Sequence, residues 1–152
     1  MSIAHTQWVA VAAVSETGPV GVDVETVEPR ERSFVDLALT AAEQARRPDV
    51  WAGDEWVARA WTAKEAVAKA RGTGLEGRPT AYEIERTSGD TVVVRDPDGA
   101  RWQVATCRAG DHVVAVTVGG PAAAVDAGPS GHVPDVGHPE TRAHQEEGDH
   151  ER

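Results

Sequence analysis

Short apolar runs separated by turn residues predict β-strands over much of the chain. The run WVAVAAVS (8–15) precedes Gly18 and Pro19, so we expect a buried strand that ends in a turn. The segment VGVDVE (20–25) predicts the returning strand, and together the two would form a hairpin. Further strands are predicted around 81–85, 91–95, 101–107 and 112–118, with glycine-containing turns between them.

The middle of the chain predicts helices. FVDLALTAAEQARR (34–47) predicts one or two short helices interrupted at Thr40, because Thr40 and Glu43 have the spacing of a capping box. EWVARAWTAKEAVAKAR (55–71) predicts a long helix, with Asp54 as its N-cap and Gly72 at its end. Two strands, then helices, then a meander of strands predict an α+β fold in which an antiparallel sheet packs on a long helix.

The residue pattern changes near Gly119 and Gly120, which divides the chain into two regions. Residues 121–152 are rich in Pro, Gly, His and acidic residues without periodicity, and this predicts a disordered tail. Residues 1–120 would form one domain, since their number suits a single hydrophobic core. Each region contributes −5 to the formal net charge of −10.

Charge and cysteine content exclude several classes of protein. A net charge of −10 without a basic stripe argues against nucleic-acid binding, and no apolar run approaches the length of a membrane span. The single cysteine, Cys107, excludes an intramolecular disulfide and indicates a reducing compartment, which predicts a cytoplasmic protein. Cys107 lies in a predicted strand, and we expect it to be a small core residue.

Two carboxylates lie within the valine-rich strand, where an unpaired buried charge would be costly. Because strand side chains alternate, the three valines would face the core, and Asp23 and Glu25 would share the opposite face, with Gly21 leaving space beside them. Their Cα atoms would be about 7 Å apart. Carboxylate oxygens in this arrangement form one half of a site for a hard cation, and the remaining ligands would come from another element.

The predicted long helix offers candidates for the rest of such a site. Trp61, Glu65 and Lys69 recur every four residues and therefore lie on one stripe of the helix. The chain has thirteen arginines but only two lysines, Lys64 and Lys69, and both lie in this helix. A compact ammonium group suits phosphate binding and proton transfer, which favours a functional site over an exposed Glu65–Lys69 surface pair.

These segments together resemble a known family. GVDVE (21–25) followed by WTAKEAVAK (61–69) resembles the signature pair of the 4′-phosphopantetheinyl transferases, an acidic strand and then a helix that reads aromatic-x-x-Lys-Glu-Ala-x-x-Lys. SIAHT (2–6) is similar to the segment that precedes the acidic strand in the surfactin-type branch, and GTGL (72–75) is similar to the turn after its helix. The resemblance spans roughly 2–118 and implies the single half-unit of this family's fold.

The resemblance implies an activity of the holo-[acyl-carrier-protein] synthase type. The 4′-phosphopantetheine arm of coenzyme A would be transferred to a serine of an acyl or peptidyl carrier protein, with Mg²⁺ as cofactor and 3′,5′-ADP as the second product. Such a reaction serves fatty acid, polyketide or nonribosomal peptide biosynthesis. Its partners would be the carrier protein and coenzyme A, with no nucleic acid and no membrane.

The resemblance also implies roles for individual residues. Asp23, Glu25 and Glu65 would hold Mg²⁺ at the coenzyme pyrophosphate, and Glu65 would also be the base for the carrier serine. Lys69 would contact the phosphates and stabilise the leaving group, with Lys64 as a second cationic contact.

Two departures from the family pattern bear on the coenzyme site. His5 matches the histidine that binds the 3′-phosphate, but Ala4 stands where the family usually has serine and would offer backbone contacts only. SIAHT opens the second of two similar halves in surfactin-type enzymes, whereas it opens the chain here. Basic residues around the adenine would therefore have to come from another chain.

Three explanations fit this half-length pattern. The chain could self-associate, as the shorter holo-acyl-carrier-protein synthases do. It could be a non-catalytic or split-enzyme half that binds coenzyme A or a carrier protein and needs a partner chain, or a truncated remnant that binds poorly. We expect a homo-oligomer, because a remnant gives no reason to keep Asp23, Glu25, Glu65 and Lys69 together.

Five arginines lie between the two motifs and offer a basic surface for an acidic carrier protein. The alternative is ordinary solvated charge, which is the more common meaning of such residues. The five are Arg30, Arg32, Arg46, Arg47 and Arg59.

Overall fold

A five-stranded antiparallel sheet and one long helix form the centre of the molecule, in a computed structural model that describes residues 1–121. The strands are β1 (Ser2–His5), β2 (Ala10–Ala13), β3 (Val20–Thr26), β4 (Glu83–Ser88), β5 (Thr91–Arg95), β6 (Arg101–Ala109) and β7 (His112–Val118). The helices are α1 (Arg32–Ala38), α2 (Ala41–Ala45) and α3 (Gly53–Arg71), and a 3₁₀ turn covers Pro79–Ala81. The sheet order β3-β7-β6-β5-β4 confirms the predicted α+β fold. The predicted tail, apart from Pro121, lies outside the described residues.

The predicted hairpin between 8–15 and 20–25 is wrong in its pairing, and the first strand, which was expected to be buried, is exposed or half-buried over Ala10–Ala13. β2 pairs with β1 in a separate two-stranded sheet, whereas β3 pairs with β7 over its whole length. The β1–β2 turn is closed by Thr6, whose Oγ1 accepts a hydrogen bond of 3.1 Å from the Val9 amide. The apolar pattern does not show this hydrogen bond. The turn at Thr6 directs β2 back onto β1, which precedes it in the chain, rather than onto β3, which follows it.

The helices begin and end close to the predicted residues. The capping box is confirmed, since the Glu43 amide donates to Thr40 Oγ1 at 3.2 Å and the Thr40 amide donates to Glu43 Oε2 at 2.7 Å. Asp54 is not the N-cap of α3, because the helix already includes Gly53 and Asp54 lies in its first turn. In that turn, the negative charge of Asp54 interacts favourably with the positive end of the helix dipole and stabilises the helix. No helix among residues 1–121 is long and apolar enough to cross a bilayer.

The main hydrophobic core lies between α3 and the sheet. Small side chains on α3 let the helix lie close to the strands, which contribute branched side chains to the same cluster. Fully buried members include Ala60, Ala63, Val67, Val92, Val104 and Val94.

β3 approaches α3 so closely that only glycine fits at residue 21. A Cβ atom at Gly21 would lie 1.8 Å from the Ala66 carbonyl oxygen. Asp23, two residues along the same face, is 6% exposed and bonds to α3. The expectation that the carboxylates face away from the core was therefore wrong, as was the open space expected beside Gly21. Both faces of β3 are covered, and alternation alone does not identify which of two covered faces meets the main core.

Cys107 is exposed, which contradicts the predicted core position. On β6 the buried positions are Trp102, Val104 and Thr106, so Cys107 lies on the opposite face of the sheet. That face of β6 is open to solvent because no element covers it among the described residues.

Candidate functional site

The acidic strand and the long helix meet, and their charged side chains contact one another. Lys69 Nζ on α3 donates to Asp23 Oδ1 on β3 at 2.7 Å and to the Val22 carbonyl oxygen at 3.3 Å. Gly21 permits this contact because it lets the two backbones approach. Two motifs about forty residues apart in the chain therefore form one site.

Only one of the two carboxylate oxygens of Asp23 has a hydrogen-bond partner among the described residues. Its Oδ2 is buried and has no hydrogen-bond partner among residues 1–121, while its side chain is 8% exposed. Burial raises the pKa of Asp23 above its ordinary value, although the hydrogen bond and charge of Lys69 oppose that change. A buried acceptor without a partner costs about 1–3 kcal/mol, so a cation or donor at Oδ2 would stabilise this site.

The pKa values of the two neighbouring carboxylates, Glu25 and Glu65, are raised as well. Burial, and then the charge of Asp23, raise the pKa of Glu25, while Arg30 and the Trp61 indole oppose the change. Burial, and then Asp23, also raise the pKa of Glu65, while Lys69 opposes the change. Like charges at close range disfavour one another's ionised form, so the three acids form one repulsive cluster.

The chemistry of this cluster fits a hard divalent cation. Three carboxylates supply oxygen ligands of the kind that Mg²⁺ prefers, and the buried Asp23 Oδ2 has no hydrogen-bond partner among the described residues. In the positions that the structure shows for residues 1–121, no three Asp, Glu, His or Cys side chains lie close enough together to hold a metal ion. Cation binding would therefore require Glu25 or Glu65 to move closer to Asp23.

Lys64 does not belong to this site, which corrects the prediction that it contacts phosphates. It is fully buried, and its Nζ bonds to Glu43 at 2.9 Å and to the Ala38 carbonyl oxygen at 2.7 Å. Residues i and i+1 point in different directions around a helix, so Lys64 faces α1 and α2 while Glu65 faces β3. Its role is structural.

The β1–β2 hairpin lies beside the acidic strand. The Val22 amide donates to Ser2 Oγ at 3.1 Å, which holds β1 against β3. Ala4 is buried and His5 is exposed at the end of β1, so only His5 is accessible to a ligand through its side chain. Thr6 Oγ1 and His112 Nε2 are 3.3 Å apart and link the hairpin tip to β7. The sequence pattern did not indicate this link.

The five arginines between the motifs do not form one basic surface. Arg59 is 3% exposed and bonds to Glu55 at 2.8 Å and Asp90 at 3.0 Å, so its assignment to a surface was wrong. Arg30 bonds to Glu25 at 3.0 Å, so it belongs to the acidic site, a position that the sequence analysis missed when it grouped Arg30 with a carrier-protein surface. Its proximity in the chain to an acidic strand was the available signal. The other three arginines are exposed, and their contact with a carrier protein stays a prediction.

Comparisons with known proteins agree on one family. The model of the 4′-phosphopantetheinyl transferase superfamily matches residues 19–117, a range that contains the acidic strand and α3. The 4′-phosphopantetheinyl transferase AcpT of Salmonella typhimurium is 32% identical over 104 residues, which cover 60% of this chain and 53% of that protein. AcpT of Salmonella typhi matches to the same extent.

A solved structure has a similar fold. The crystal structure of holo-[acyl-carrier-protein] synthase (AcpS) from Neisseria meningitidis aligns with a TM-score of 0.54 at 20% identity. The alignment covers 65% of this chain and 94% of that chain. By contrast, the chain spans about half the length of the curated relatives that it matches.

Proposed function

Because this chain belongs to the 4′-phosphopantetheinyl transferase superfamily, we propose that it transfers the 4′-phosphopantetheine arm of coenzyme A to a serine of a carrier protein. The observation that carries the proposal is the contact between the two motifs. A buried Asp23, whose Oδ2 has no partner among residues 1–121, contacts Lys69 and lies close to Glu65, within the range that matches the family. The acceptor would be an acyl or peptidyl carrier protein in the cytoplasm.

The chemistry of the transfer assigns distinct tasks to these side chains. The serine hydroxyl forms a bond to the phosphorus that carries the pantetheine, while the bond from that phosphorus to 3′,5′-ADP breaks. Glu65 accepts the serine proton, because it is the carboxylate of α3 that lies half-buried beside Asp23 and Lys69. Lys69 leaves Asp23 for the pyrophosphate and stabilises the negative charge that accumulates on the leaving group.

Magnesium would be held by Asp23, Glu25 and Glu65. When bound, it would supply Lewis-acid stabilisation of the pyrophosphate oxygens. His5, exposed beside the acidic strand, would bind the 3′-phosphate of the coenzyme.

A mass-shift assay tests the proposal. The protein, coenzyme A and Mg²⁺ are incubated with carrier proteins of several types, and we expect the mass of one phosphopantetheine to be added to at least one of them. Asp23→Asn should lower the rate by at least about a hundredfold, because both the cation ligand and the partner of Lys69 are altered. Asp36→Asn is the matched control, since Asp36 is exposed and pairs with Arg32 and Gln44 on the surface. Wild-type protein that leaves every carrier unmodified would contradict the activity of the isolated chain.

We further propose that the active form contains more than one chain. The half-length match to AcpT and the near-complete coverage of the shorter synthase support a repeated single unit. Native mass spectrometry should detect a homo-oligomer, and the specific activity should fall when the protein is diluted below its dissociation constant.

The half-length match also favours a second candidate, a split-enzyme half that needs a different partner chain. This form would bind Mg²⁺ and coenzyme A without modifying a carrier protein. Transfer that appears only after a separate first-half protein is added would support it against the homo-oligomer.

A further inference from the structure

The acidic strand is neutralised by two cations of the protein itself. Lys69 pairs with Asp23 at 2.7 Å, and Arg30 pairs with Glu25 through Nη2 at 3.0 Å. The Lys69 pair joins two secondary-structure elements, but the Arg30 pair joins β3 to the segment directly after it. Of the two pairs, the Arg30 pair can open without any change in how α3 packs on the sheet.

Arg30 makes two further contacts in the conformation that pairs it with Glu25. Its Nη1 lies 3.3 Å from Glu28, and its guanidinium carbon lies 5.2 Å from the centre of the Phe34 ring. The Phe34 ring in turn packs on Trp61 of α3, with ring centres 5.1 Å apart. The side chain of Arg30 is 28% exposed, so it can leave Glu25 while still packed on an aromatic surface at the edge of the site.

The positions of these groups make Arg30 a competitor for a cation at Glu25. A divalent cation and the Arg30 guanidinium would both neutralise the Glu25 carboxylate, whose Oε2 Arg30 already holds, so binding of one weakens binding of the other. A guanidinium displaced from a carboxylate also has the planar donor arrangement that suits phosphate oxygens. Cation entry would therefore free a phosphate-binding group where the coenzyme pyrophosphate is expected.

We propose that Arg30 is an exchangeable counter-ion, which holds Glu25 in the ligand-free protein and moves to the coenzyme phosphates when a divalent cation takes Glu25. This inference rests on the proposed function, because that function supplies both the cation and the phosphates. Arg30 acts in binding and makes the site favour the cation–coenzyme complex over either ligand alone.

Calorimetry with Mg²⁺ alone tests the first half of the exchange. Arg30→Gln should bind Mg²⁺ about two- to fivefold more tightly than wild type, because the cation no longer displaces a partly exposed ion pair. Arg32→Gln is the matched control, since it removes the same charge two residues away from an exposed pair with Asp36. Equal affinities in the two variants, or weaker Mg²⁺ binding in Arg30→Gln, would overturn the proposal.

Calorimetry with coenzyme A at saturating Mg²⁺ tests the second half. Here Arg30→Gln should bind coenzyme A about tenfold more weakly, since a charge-assisted contact to phosphate is lost. Arg30→Lys, which keeps the charge but not the planar fork, should lie between wild type and Arg30→Gln in both titrations and guards against misfolding of the Gln variant. A change of the same sign for Mg²⁺ and coenzyme A would contradict the exchange.

The outcomes separate this inference from the proposed function. Wild type that binds Mg²⁺ and coenzyme A and modifies a carrier protein, with Arg30→Gln behaving like Arg32→Gln, removes only the role of Arg30. Wild type that binds neither ligand overturns both.

Discussion

Lys64 and Glu65 are neighbours in the chain and face different environments. Glu65 is half-buried near Asp23 and Lys69, while Lys64 is completely buried and bonded to Glu43. Glu43 in turn accepts hydrogen bonds from the amides of Thr40 and Ile84, so this one carboxylate links α2, α3 and β4. The pair stabilises the position of α3, because both charged side chains are completely buried and each is the ion-pair partner of the other.

Removing the lysine should therefore destabilise the fold. We expect Lys64→Met to lower the free energy of unfolding by about 3–5 kcal/mol, because Glu43 would keep a buried charge without its ammonium partner. Urea denaturation followed by circular dichroism measures the loss.

The double variant Glu43→Gln/Lys64→Met is the control for this prediction. It should lose less stability than Lys64→Met, because no uncompensated charge remains and glutamine can keep the capping-box contact. A loss in Lys64→Met below about 1 kcal/mol would contradict the buried ion pair as described.

The contact between β3 and α3 determines the site at the level of secondary-structure elements. Gly21 brings the strand backbone against the helix backbone at Ala66, and this spacing lets Lys69 reach Asp23. The sequence suggested that Gly21 leaves space beside the carboxylates, but in the structure Gly21 is a packing contact between β3 and α3. The same close approach explains why Asp23 is buried although it lies at the edge strand of the sheet.

Gly21→Ala should separate these two elements. Its added Cβ would overlap backbone rather than a flexible side chain, so we expect a loss of at least about 1–3 kcal/mol in the free energy of unfolding, measured by urea denaturation.

Gly53→Ala is the matched substitution for Gly21→Ala. Gly53 lies at the start of α3, and a Cβ atom there would have no neighbour within 4 Å among the described residues. It should change stability by less than about 1 kcal/mol, in the stabilising direction. Similar losses in both variants would show that the approach at Gly21 is not the tight contact.

For the whole molecule, the acidic cluster lowers stability in the absence of a cation. Asp23, Glu25 and Glu65 all have pKa values raised first by burial and then, for the two glutamates, by neighbouring negative charge. A carboxylate whose folded-state pKa is raised takes up its proton more readily in the folded state than in the unfolded state. Its ionisation therefore disfavours folding as the pH rises through the folded-state pKa.

Glu65→Gln tests this sign. The variant should be more stable than wild type without Mg²⁺ at pH 7.5, since the ionisation penalty is removed. The difference should shrink towards zero below the ordinary glutamate pKa of 4.5, where the carboxyl is protonated in both states. Urea denaturation at pH 4 and pH 7.5 measures it. Glu16→Gln, which removes the same charge at an exposed position, is the control, and a Glu65→Gln variant less stable than wild type at pH 7.5 would reverse the expected sign.

Sequence alone determined the helices, most of the strands and the family signature of this protein, but not the strand β1 or the exposure of β2. The capping box at Thr40, the glycine end of α3 and the strands of the meander follow from propensities and contacts over a few residues, which persist in any fold. The resemblance of GVDVE and WTAKEAVAK to one family was confirmed by the match over residues 19–117. The metal, phosphate and base roles of Asp23, Glu25, Glu65 and Lys69 stay predictions.

Only the tertiary structure decided which surfaces face each other. The pairing of β3 with β7, the burial of Lys64 against Glu43 and the contact of Arg30 with Glu25 depend on where distant elements pack. Periodicity identifies the two faces of a strand or helix but not the element that covers each face, and on β3 even the face that carries Asp23 is covered. For this chain, the element that covers each face of α3 decides whether a lysine stabilises the core, as Lys64 does, or is available to bind phosphate.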